Sequence, residues 1–356
     1  MPKTQNRAVM IWLFIFAFFV AFLVLWGGFT RLTRSGLSIV EWNPISGVIP
    51  PIGQQAWQEE FAKYRLTPEF KLVNYNMTLE EYQYIFYIEW IHRLLARTVG
   101  LVYAIPVFFF LFTKRIPWKE FGMYFAMGML FIVQAFAGWY MVASGLQDQP
   151  AVSHYLLTTH LFLALTLFGL SLWTAYGHGV GFHEGRAKFS LPSKLAVVAF
   201  LALLVQIAYG GFTAGLKAGH VSNTWPLMMG QWIPKGLLSA LQPWTLNLVQ
   251  TPQTVMFIHR WFAFVVLVMA GIVYLTARRF GLPRDAQKAA LALLGLVCLQ
   301  ILFGISVVVF NVEIVVALIH QTMAIILFAS TLYLIHRTRA ADLQHGAKAE
   351  VGSQPT

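Results

Sequence analysis

The sequence predicts an all-α polytopic membrane protein whose eight transmembrane helices form two pseudo-symmetric four-helix bundles. Composition is the first reason, because 58% of the 356 residues are hydrophobic and only 11% are charged, whereas soluble domains carry about 25% charged residues. The second reason is that eight apolar segments are long enough to cross a bilayer, which takes about 20 helical residues. The third is that features of the first four segments recur, in order, in the last four.

The apolar segments are numbered spans 1 to 8 in chain order. They lie near residues 9–28, 90–112, 121–143, 155–176, 195–214, 255–277, 287–310 and 315–335. Thr78 followed by Glu81 predicts a capping box that opens a helix leading into span 2. Thr67 before Pro68 predicts a shorter helix upstream, and the polar tail from Ala340 is expected to be disordered.

The positive charges indicate how the chain crosses the membrane. Fifteen of the 25 Lys and Arg residues lie at the termini and in the connections after spans 2, 4 and 6. Since such connections stay in the cytoplasm, both termini are expected there, in a multi-pass protein of a bacterial inner membrane. The long segments 29–89 and 215–254 then face the periplasm. The charges form no single basic face, so we expect the lipid bilayer, and no nucleic acid, as a partner.

An internal repeat divides the chain. Residues 25–30, Leu-Trp-Gly-Gly-Phe-Thr, recur as Ala-Tyr-Gly-Gly-Phe-Thr at residues 208–213, an offset of 183. Further matches, at offsets of 167, 166 and 160, pair His92-Arg93 with His259-Arg260, Gln134 with Gln300, Gly138 with Gly304 and His160 with His320. Rare residue types match in order, which predicts a parallel repeat. The N-terminal half is expected to be residues 1–180, the C-terminal half residues 181–339, and the tail residues 340–356.

Four histidines lie inside spans at repeat-related positions: His92, His160, His259 and His320. They lie on even-numbered spans, which cross the membrane in one direction, so their imidazoles are expected at one depth near the periplasmic face. Two facing imidazoles in a four-helix bundle are the geometry of bis-histidine haem ligation, so each half offers one haem site unless the four are simply buried, hydrogen-bonded residues. Zinc or copper is disfavoured, because two histidines with no nearby cysteine, methionine pair or carboxylate cluster leave such an ion under-coordinated. The other six histidines are expected in solvent: His154, His178, His183, His220, His336 and His345.

The two halves differ in polarity around these histidines, since Glu89 pairs with Met256, Arg97 with Phe264 and Arg31 with Ala214 at the repeat offsets. Glu89 precedes His92 by three residues, so both lie on one helical face. The carboxylate is a candidate proton acceptor or stabiliser of positive charge, and a Glu89–Arg93 ion pair is the equal alternative. Arg93, Arg97 and Arg260 are candidate partners of haem propionates. We therefore expect chemistry in the N-terminal site and fixed electron transfer in the C-terminal site.

These residues resemble the motifs of the haem A synthase family. The run from Gly27 to Ser38, Gly-Gly-Phe-Thr-Arg-Leu-Thr-Arg-Ser-Gly-Leu-Ser, with Trp42-Asn43-Pro44 after it, resembles the first-loop signature of that family. Glu89-Trp90-Ile91-His92-Arg93 resembles its second-span motif. His160, the Phe-Ile-His-Arg at 257–260 and the Leu-Ile-His-Gln at 318–321 complete the likeness, which covers spans 1 to 8. The chain has a single cysteine, Cys298, and therefore lacks the cysteine pairs that some bacterial members carry in their periplasmic loops. In this respect it is similar to the cysteine-free type found in proteobacteria and mitochondria.

The resemblance implies an oxidoreductase that converts haem O to haem A, oxidising the C8 methyl group of the porphyrin to a formyl group through a hydroxymethyl intermediate. It implies that His259 and His320 bind a haem B cofactor. His92 and His160 would bind the substrate haem, and Glu89 would be the acidic residue near it. Haem O synthase is the expected upstream partner, with an electron acceptor that the sequence does not identify. A homo-oligomer is compatible with the sequence.

Three alternatives compete with this interpretation. A non-enzymatic bis-histidine cytochrome b in quinone-linked electron transfer shares the haem geometry, but it does not explain why Glu89 and Arg97 occur in one half only. A prenyltransferase such as haem O synthase is disfavoured, because it needs clustered aspartates for magnesium and the three aspartates of this chain are scattered. A transporter is disfavoured because no interrupted helix or midplane charge supports it.

Overall fold

A computed structural model describes residues 6–147, 150–180 and 189–352. Among these residues, eight helices are long and apolar enough to cross a membrane, which confirms the all-helical, eight-span part of the prediction. In chain order the helices are α1 (Arg7–Leu32), α2 (Gln54–Arg65), α3 (Pro68–Leu72), α4 (Leu79–Phe112), α5 (Phe121–Gly145), α6 (His154–Val180), α7 (Leu191–Gly215), α8 (Asn247–Gln250), α9 (Pro252–Arg279), α10 (Arg284–Val309) and α11 (Ile314–Gly352). The spans are all of these except the short helices α2, α3 and α8. His183 lies outside the described residues.

Both predicted helix starts are confirmed. The Thr78 hydroxyl accepts a hydrogen bond from Glu81 N (3.3 Å), and the Glu81 carboxylate accepts one from Thr78 N (2.8 Å). This capping box starts α4 at Leu79, so His92 lies almost four turns into the helix rather than at its beginning. Thr67 accepts from the backbone of the third helical residue of α3 in the same manner.

The first connecting segment, residues 33–78, is packed rather than loose. Tyr64 from α2 and Tyr82 from α4 are fully buried, and their rings stack with centroids 4.9 Å apart. The Tyr82 hydroxyl donates to the carbonyl of Ser38 (3.2 Å), and Trp57 and Phe86 complete the cluster. Burying such aromatic surface stabilises the segment, which is thereby fixed against the start of α4.

The chain divides into two compact units, residues 16–168 and residues 1–15 with 169–356. In the unit of residues 16–168, Trp26 of α1 donates through Nε1 to the carbonyl of Ile88 in α4 (3.0 Å), and α4 packs against α5. In the other unit, α7 packs against α9, α9 against α10, α10 against α11, and α11 against α7. These four helices therefore form a closed ring, as in a four-helix bundle.

The C-terminal tail differs from its prediction. Disorder was expected from Ala340, but α11 continues to Gly352, and residues 353–356 lie outside the described part of the chain. The reason is a tertiary contact: the Asp342 carboxylate accepts from the Ser193 hydroxyl (2.6 Å) and from Ser190 N (3.2 Å). An acidic side chain that binds the first turn of α7 compensates the exposed N–H groups there, and it holds α11 beyond the apolar run.

Two histidines expected in solvent are buried instead. His178 and His336 expose 1% and 3% of their surface. The His336 ring packs edge-on against Trp173, with centroids 5.2 Å apart, and it also contacts Tyr176. Position at the end of a span did not predict exposure, because for His336 the aromatic side chains of another helix, α6, cover the imidazole.

Candidate functional site

The C-terminal pair of histidines converges. His259 of α9 and His320 of α11 have ring centroids 6.4 Å apart and ring planes at 88° to each other. Metal–nitrogen bonds are about 2 Å long, so two imidazoles that bind one metal atom from opposite sides have centroids about 6 Å apart. The observed separation therefore fits two imidazoles that would hold one haem iron between them.

Two glutamines fix the orientation of these imidazoles. Gln206 of α7 contacts His259 Nδ1 through its Nε2 (3.2 Å), and the same Nε2 donates to the His259 carbonyl (2.9 Å). Gln300 of α10 makes the matching contacts with the ring (3.4 Å) and the carbonyl (3.1 Å) of His320. The Nδ1 atom of His320 is buried without a hydrogen-bond partner. Buried polar atoms are rarely left so, and an orphaned imidazole nitrogen in such a pair supports metal ligation.

The N-terminal pair has a similar surrounding. His92 of α4 and His160 of α6 lie within electrostatic range of each other. Gln134 of α5, the repeat partner of Gln300, contacts His160 through Nε2 (3.3 Å), and His160 Nδ1 is buried without a hydrogen-bond partner. Both pairs thus offer imidazole nitrogens, which are ligands that haem iron takes.

Each of the four histidines packs against a glycine of another helix. The pairs, with the distance from an added Cβ to the nearest ring atom, are Gly27–His92 (3.4 Å), Gly138–His160 (2.9 Å), Gly210–His259 (3.2 Å) and Gly304–His320 (3.0 Å). At these distances a side chain on the glycine crowds the ring, so the absence of one lets the imidazole lie against a helix backbone. The four glycines also follow the sequence repeat.

Glu89 is buried in a network that ties the first connecting segment to α4. Its side chain is 3% exposed. Arg93 donates to Oε1 through Nη2 (2.7 Å) and Nε (3.1 Å), so the ion pair left open by the sequence is present. The Ser38 backbone N–H and hydroxyl (2.8 Å each) and Ile39 N (3.0 Å) donate to Oε2. Both oxygens of the carboxylate are therefore saturated by protein donors.

Arg93 and Arg260 bind backbone carbonyls at equivalent positions. Arg93 donates to Ile39 O through Nη2 and to Glu41 O through Nη1, each at 3.0 Å. The two acceptors of Arg260 lie 183 residues after these and belong to the second connecting segment, residues 216–251: Ser222 O (2.8 Å, from Nη2) and Thr224 O (2.9 Å, from Nη1). Both arginines, expected at propionates, thus hold the connecting segments, and Arg260 keeps only Nε unpaired.

Arg97 also binds the first connecting segment. It donates to Pro44 O through Nε (2.8 Å) and to Asn43 O through Nη2 (2.7 Å), while its Nη1 is buried without a hydrogen-bond partner. Arg31, in the last turn of α1, is half-buried, and its guanidinium has no hydrogen bond or ion pair within the part of the chain that the structure describes. Sequence reasoning singled out Arg31 only as a difference between the halves.

Gln206 was missed altogether by the sequence reasoning. Its repeat partner at the 183 offset is Leu23, so the repeat gave no signal. A lone glutamine inside the apolar run of span 5 was the available signal, since polar residues within spans are costly and tend to be functional.

Together, the fold and these contacts define a polytopic helical membrane protein with two pairs of half-buried histidines, each packed against a glycine. A model of the COX15-CtaA family, described as cytochrome oxidase assembly protein, matches residues 10–332. A haem A synthase of Wolbachia sp. subsp. Brugia malayi (strain TRS) is 40% identical over 334 residues, which is 93% of this chain and 97% of the relative. A haem A synthase of Chelativorans sp. (strain BNC1) is 43% identical over 342 residues, covering 95% and 93% of the two chains. The chain therefore belongs to the haem A synthase family, as its motifs predicted.

Proposed function

We propose that this chain is an oxidoreductase that converts haem O to haem A, oxidising the C8 methyl group to a formyl group through a hydroxymethyl intermediate. The observation that carries the proposal is the convergence of His259 and His320, with ring centroids 6.4 Å apart, in a chain whose relatives bear the name haem A synthase. The proposal extends to both sites, because each histidine of the N-terminal pair also packs against a glycine and Gln134 contacts His160 as Gln300 contacts His320.

The two sites have different tasks in this proposal. His259 and His320 would hold haem B, whose iron supplies one-electron transfer when bound. Gln206 and Gln300 keep the two imidazoles in the orientation that ligation needs. His92 and His160 would hold the substrate haem O, in the half of the chain that carries the additional charged side chains.

Glu89 is assigned a positioning role rather than the catalytic role expected from the sequence. Its two oxygens already accept five hydrogen bonds from Arg93, Ser38 and Ile39. A carboxylate whose two oxygens are occupied in this way has no free lone pair directed at a substrate. Glu89 therefore acts through the first connecting segment, which it binds one helical turn before His92. Arg97 Nη1 and Arg260 Nε are the donors left for propionates on the arginines first considered.

The location proposed is a bacterial inner membrane with both termini in the cytoplasm and both connecting segments in the periplasm. It is supported by the eight apolar helices and by the distribution of Lys and Arg. Haem O synthase would supply the substrate, and an electron acceptor not yet identified would remove reducing equivalents. A homo-oligomer is compatible with this arrangement.

The alternative function is a non-enzymatic cytochrome b with two bis-histidine haems. The paired imidazoles alone favour it as much as the enzyme. Extraction of the pigment from purified protein separates the two, since a cytochrome b carries haem B only, whereas the enzyme also carries haem O or haem A.

The test of the proposed function is replacement of His92 or His160 by Ala in cells that supply haem O. Membranes are expected to lose haem A and to accumulate haem O, because the substrate loses an iron ligand. His220→Ala is the matched control, since this histidine is exposed in the second connecting segment and its imidazole, among the described residues, contacts only Asn311 (3.3 Å). Normal haem A in both His92→Ala and His160→Ala membranes contradicts the assignment.

A further inference from the structure

Arg31 is the unexplained charge of the N-terminal unit. Its guanidinium is half-buried, yet no described residue offers it a hydrogen bond or a carboxylate. Withdrawing a cation from water without a counter-charge is costly. The other arginines close to the histidine pair, Arg93 and Arg97, spend most of their donors on the carbonyls of the first connecting segment. Arg31 thus has its full set of donors available for a ligand.

The helix that carries Arg31 places it beside the histidine site. Gly27 of α1 lies against His92, with an added Cβ only 3.4 Å from Nε2. Arg31 follows Gly27 by four residues, so the two share one face of α1 and lie one turn, about 5.4 Å, apart. Since helical side chains lean toward the N-terminus of their helix, the Arg31 side chain leans back toward the level of Gly27 and His92.

The C-terminal half shows what the same position looks like without the charge. Gly210 packs against His259 as Gly27 packs against His92, and four residues after Gly210 the chain has Ala214. The guanidinium is therefore not needed to build this helix–histidine contact. It is an addition to the N-terminal site alone.

We propose that Arg31 binds a carboxylate of the substrate in the N-terminal site, which for a porphyrin is a propionate. The inference rests on the proposed function of that site and adds a specificity element to it. On the haem O ring, the C8 methyl and one propionate stand on the same pyrrole. An ion pair at that propionate therefore restrains the position of the neighbouring methyl group, so that Arg31 contributes to the choice of the methyl that is oxidised.

The test compares two probes, ferric protoporphyrin IX and its dimethyl ester, which differ only in the propionate charge. Each is titrated by absorbance into the purified full-length holoprotein, and only the part of the signal that His92→Ala removes is counted. Arg31→Gln is expected to weaken binding of the diacid about 10- to 100-fold, the loss of a charge-assisted bond, and to leave the ester unchanged. Arg34→Gln, which removes an exposed charge three residues away, is expected to change neither, and Arg31→Lys to restore part of the diacid affinity.

A second measurement needs no variant. An arginine-selective dicarbonyl reagent is added to the wild-type protein, and modification of Arg31 is followed by mass spectrometry. The diacid is expected to protect Arg31, and the ester is not.

The outcomes separate the two proposals. A diacid-to-ester ratio that stays the same in Arg31→Gln, or that falls equally in Arg34→Gln, overturns the role of Arg31. Equal modification of Arg31 with either probe does so as well. If His92→Ala removes none of the binding signal, the proposed function of the N-terminal site fails instead.

Discussion

The two connecting segments dock onto their helices through the same backbone contacts but with different side-chain chemistry. In the first, the buried carboxylate of Glu89 accepts from Ser38. The positions 167 and 183 residues later hold Met256 and Val221, which pack together in an apolar cluster with Ala218, Met228 and Val308. One half thus uses an ionic clamp where the other uses hydrophobic burial, although the repeat-related arginines bind equivalent carbonyls in both.

A second pair of positions repeats the contrast. Arg97 donates to the carbonyls of Asn43 and Pro44. Its counterpart Phe264 stacks on Trp225 with centroids 6.2 Å apart and planes at 13°. The comparison teaches that the fold does not require the charges of the N-terminal half, because an apolar version of each contact exists in the same chain. Their presence around one histidine pair only is what marks that pair as the reactive one in our proposal.

The largest effect is expected when Glu89 is replaced by methionine, the residue at the equivalent position of the C-terminal half. Glu89→Met leaves Arg93 without its carboxylate and removes the acceptor of the Ser38 and Ile39 donors. Removing one partner of a buried ion pair costs about 3–5 kcal/mol, which thermal unfolding in detergent measures as a lower midpoint. Haem A in membranes is expected to fall in parallel, because the segment above His92 is released.

The matched variant adds Ser38→Val to Glu89→Met, which reproduces the Val221–Met256 pair. It is expected to regain about 1 kcal/mol or more by apolar contact without restoring haem A. Glu89→Gln, which keeps the shape and part of the bonding, is expected to lie between wild type and Glu89→Met in both measurements. Full activity of the Glu89→Met protein at wild-type stability argues against the positioning role.

An intermediate effect is expected from the glycines that face the histidines. Gly304→Ala places a Cβ 3.0 Å from His320, and Gly138→Ala places one 2.9 Å from His160. Overpacking of this kind costs about 1–3 kcal/mol and turns the ring. We expect Gly304→Ala to lower the haem B content of purified protein, and Gly138→Ala to lower haem A in membranes while haem B stays. Absorbance spectra and pigment extraction measure the haem B content of the purified protein and the haem A content of the membranes.

Glycines on the same helices supply the controls. For Gly295 in α10 and Gly122 in α5, no described atom outside the adjoining turns of the same helix lies within 4 Å of an added Cβ. Their replacement by Ala is expected to be neutral, or to stabilise the helix by up to about 1 kcal/mol. Equal pigment loss in the control and test variants would show that helix substitution, and not the histidine contact, is responsible.

The smallest expected effect is a pH dependence confined to the first segment. Hydrogen bonds from Lys63 and then Asn43 lower the pKa of Glu41, and the bond to Glu41 raises the pKa of Lys63. The Glu41 contribution is therefore full above its unfolded pKa and is lost as the pH falls through the lowered, folded value. The Lys63 contribution is full below its unfolded pKa and is lost as the pH rises through the raised one. Because both groups are largely exposed, the pair is worth at most about 1 kcal/mol.

The measurement is the unfolding midpoint of wild type and Glu41→Gln between about pH 3 and 7. The difference is expected near neutral pH and to disappear in acid. Glu59→Gln serves as the control, since this exposed carboxylate bonds only to Gln55 (3.0 Å) among the described residues. The counterpart of Glu41 in the second segment is the uncharged Thr224, so no such pH dependence is expected there. A midpoint difference between wild type and Glu41→Gln that persists in acid contradicts the ion-pair origin.

Local signals in the sequence were sufficient for the spans and for the histidine pairs. Apolar runs of membrane length and the capping box at Thr78 need no knowledge of distant residues, and the repeat identified four histidines together. The contacts of Glu89 with Ser38, 51 residues away, could not be predicted, because helical spacing reports only neighbours such as Arg93. The same limit hid the burial of His336, which depends on Trp173 of another helix.

The distance along the chain between Glu89 and Ser38 has a consequence for biogenesis. Synthesis proceeds from the N-terminus, so the first connecting segment leaves the ribosome before the carboxylate and the guanidinium groups that receive it exist. Its carbonyls and N–H groups have no partners in α4 until that helix has been made. The first connecting segment therefore docks only after α4 has been made, because the side chains that bind it follow it in the chain.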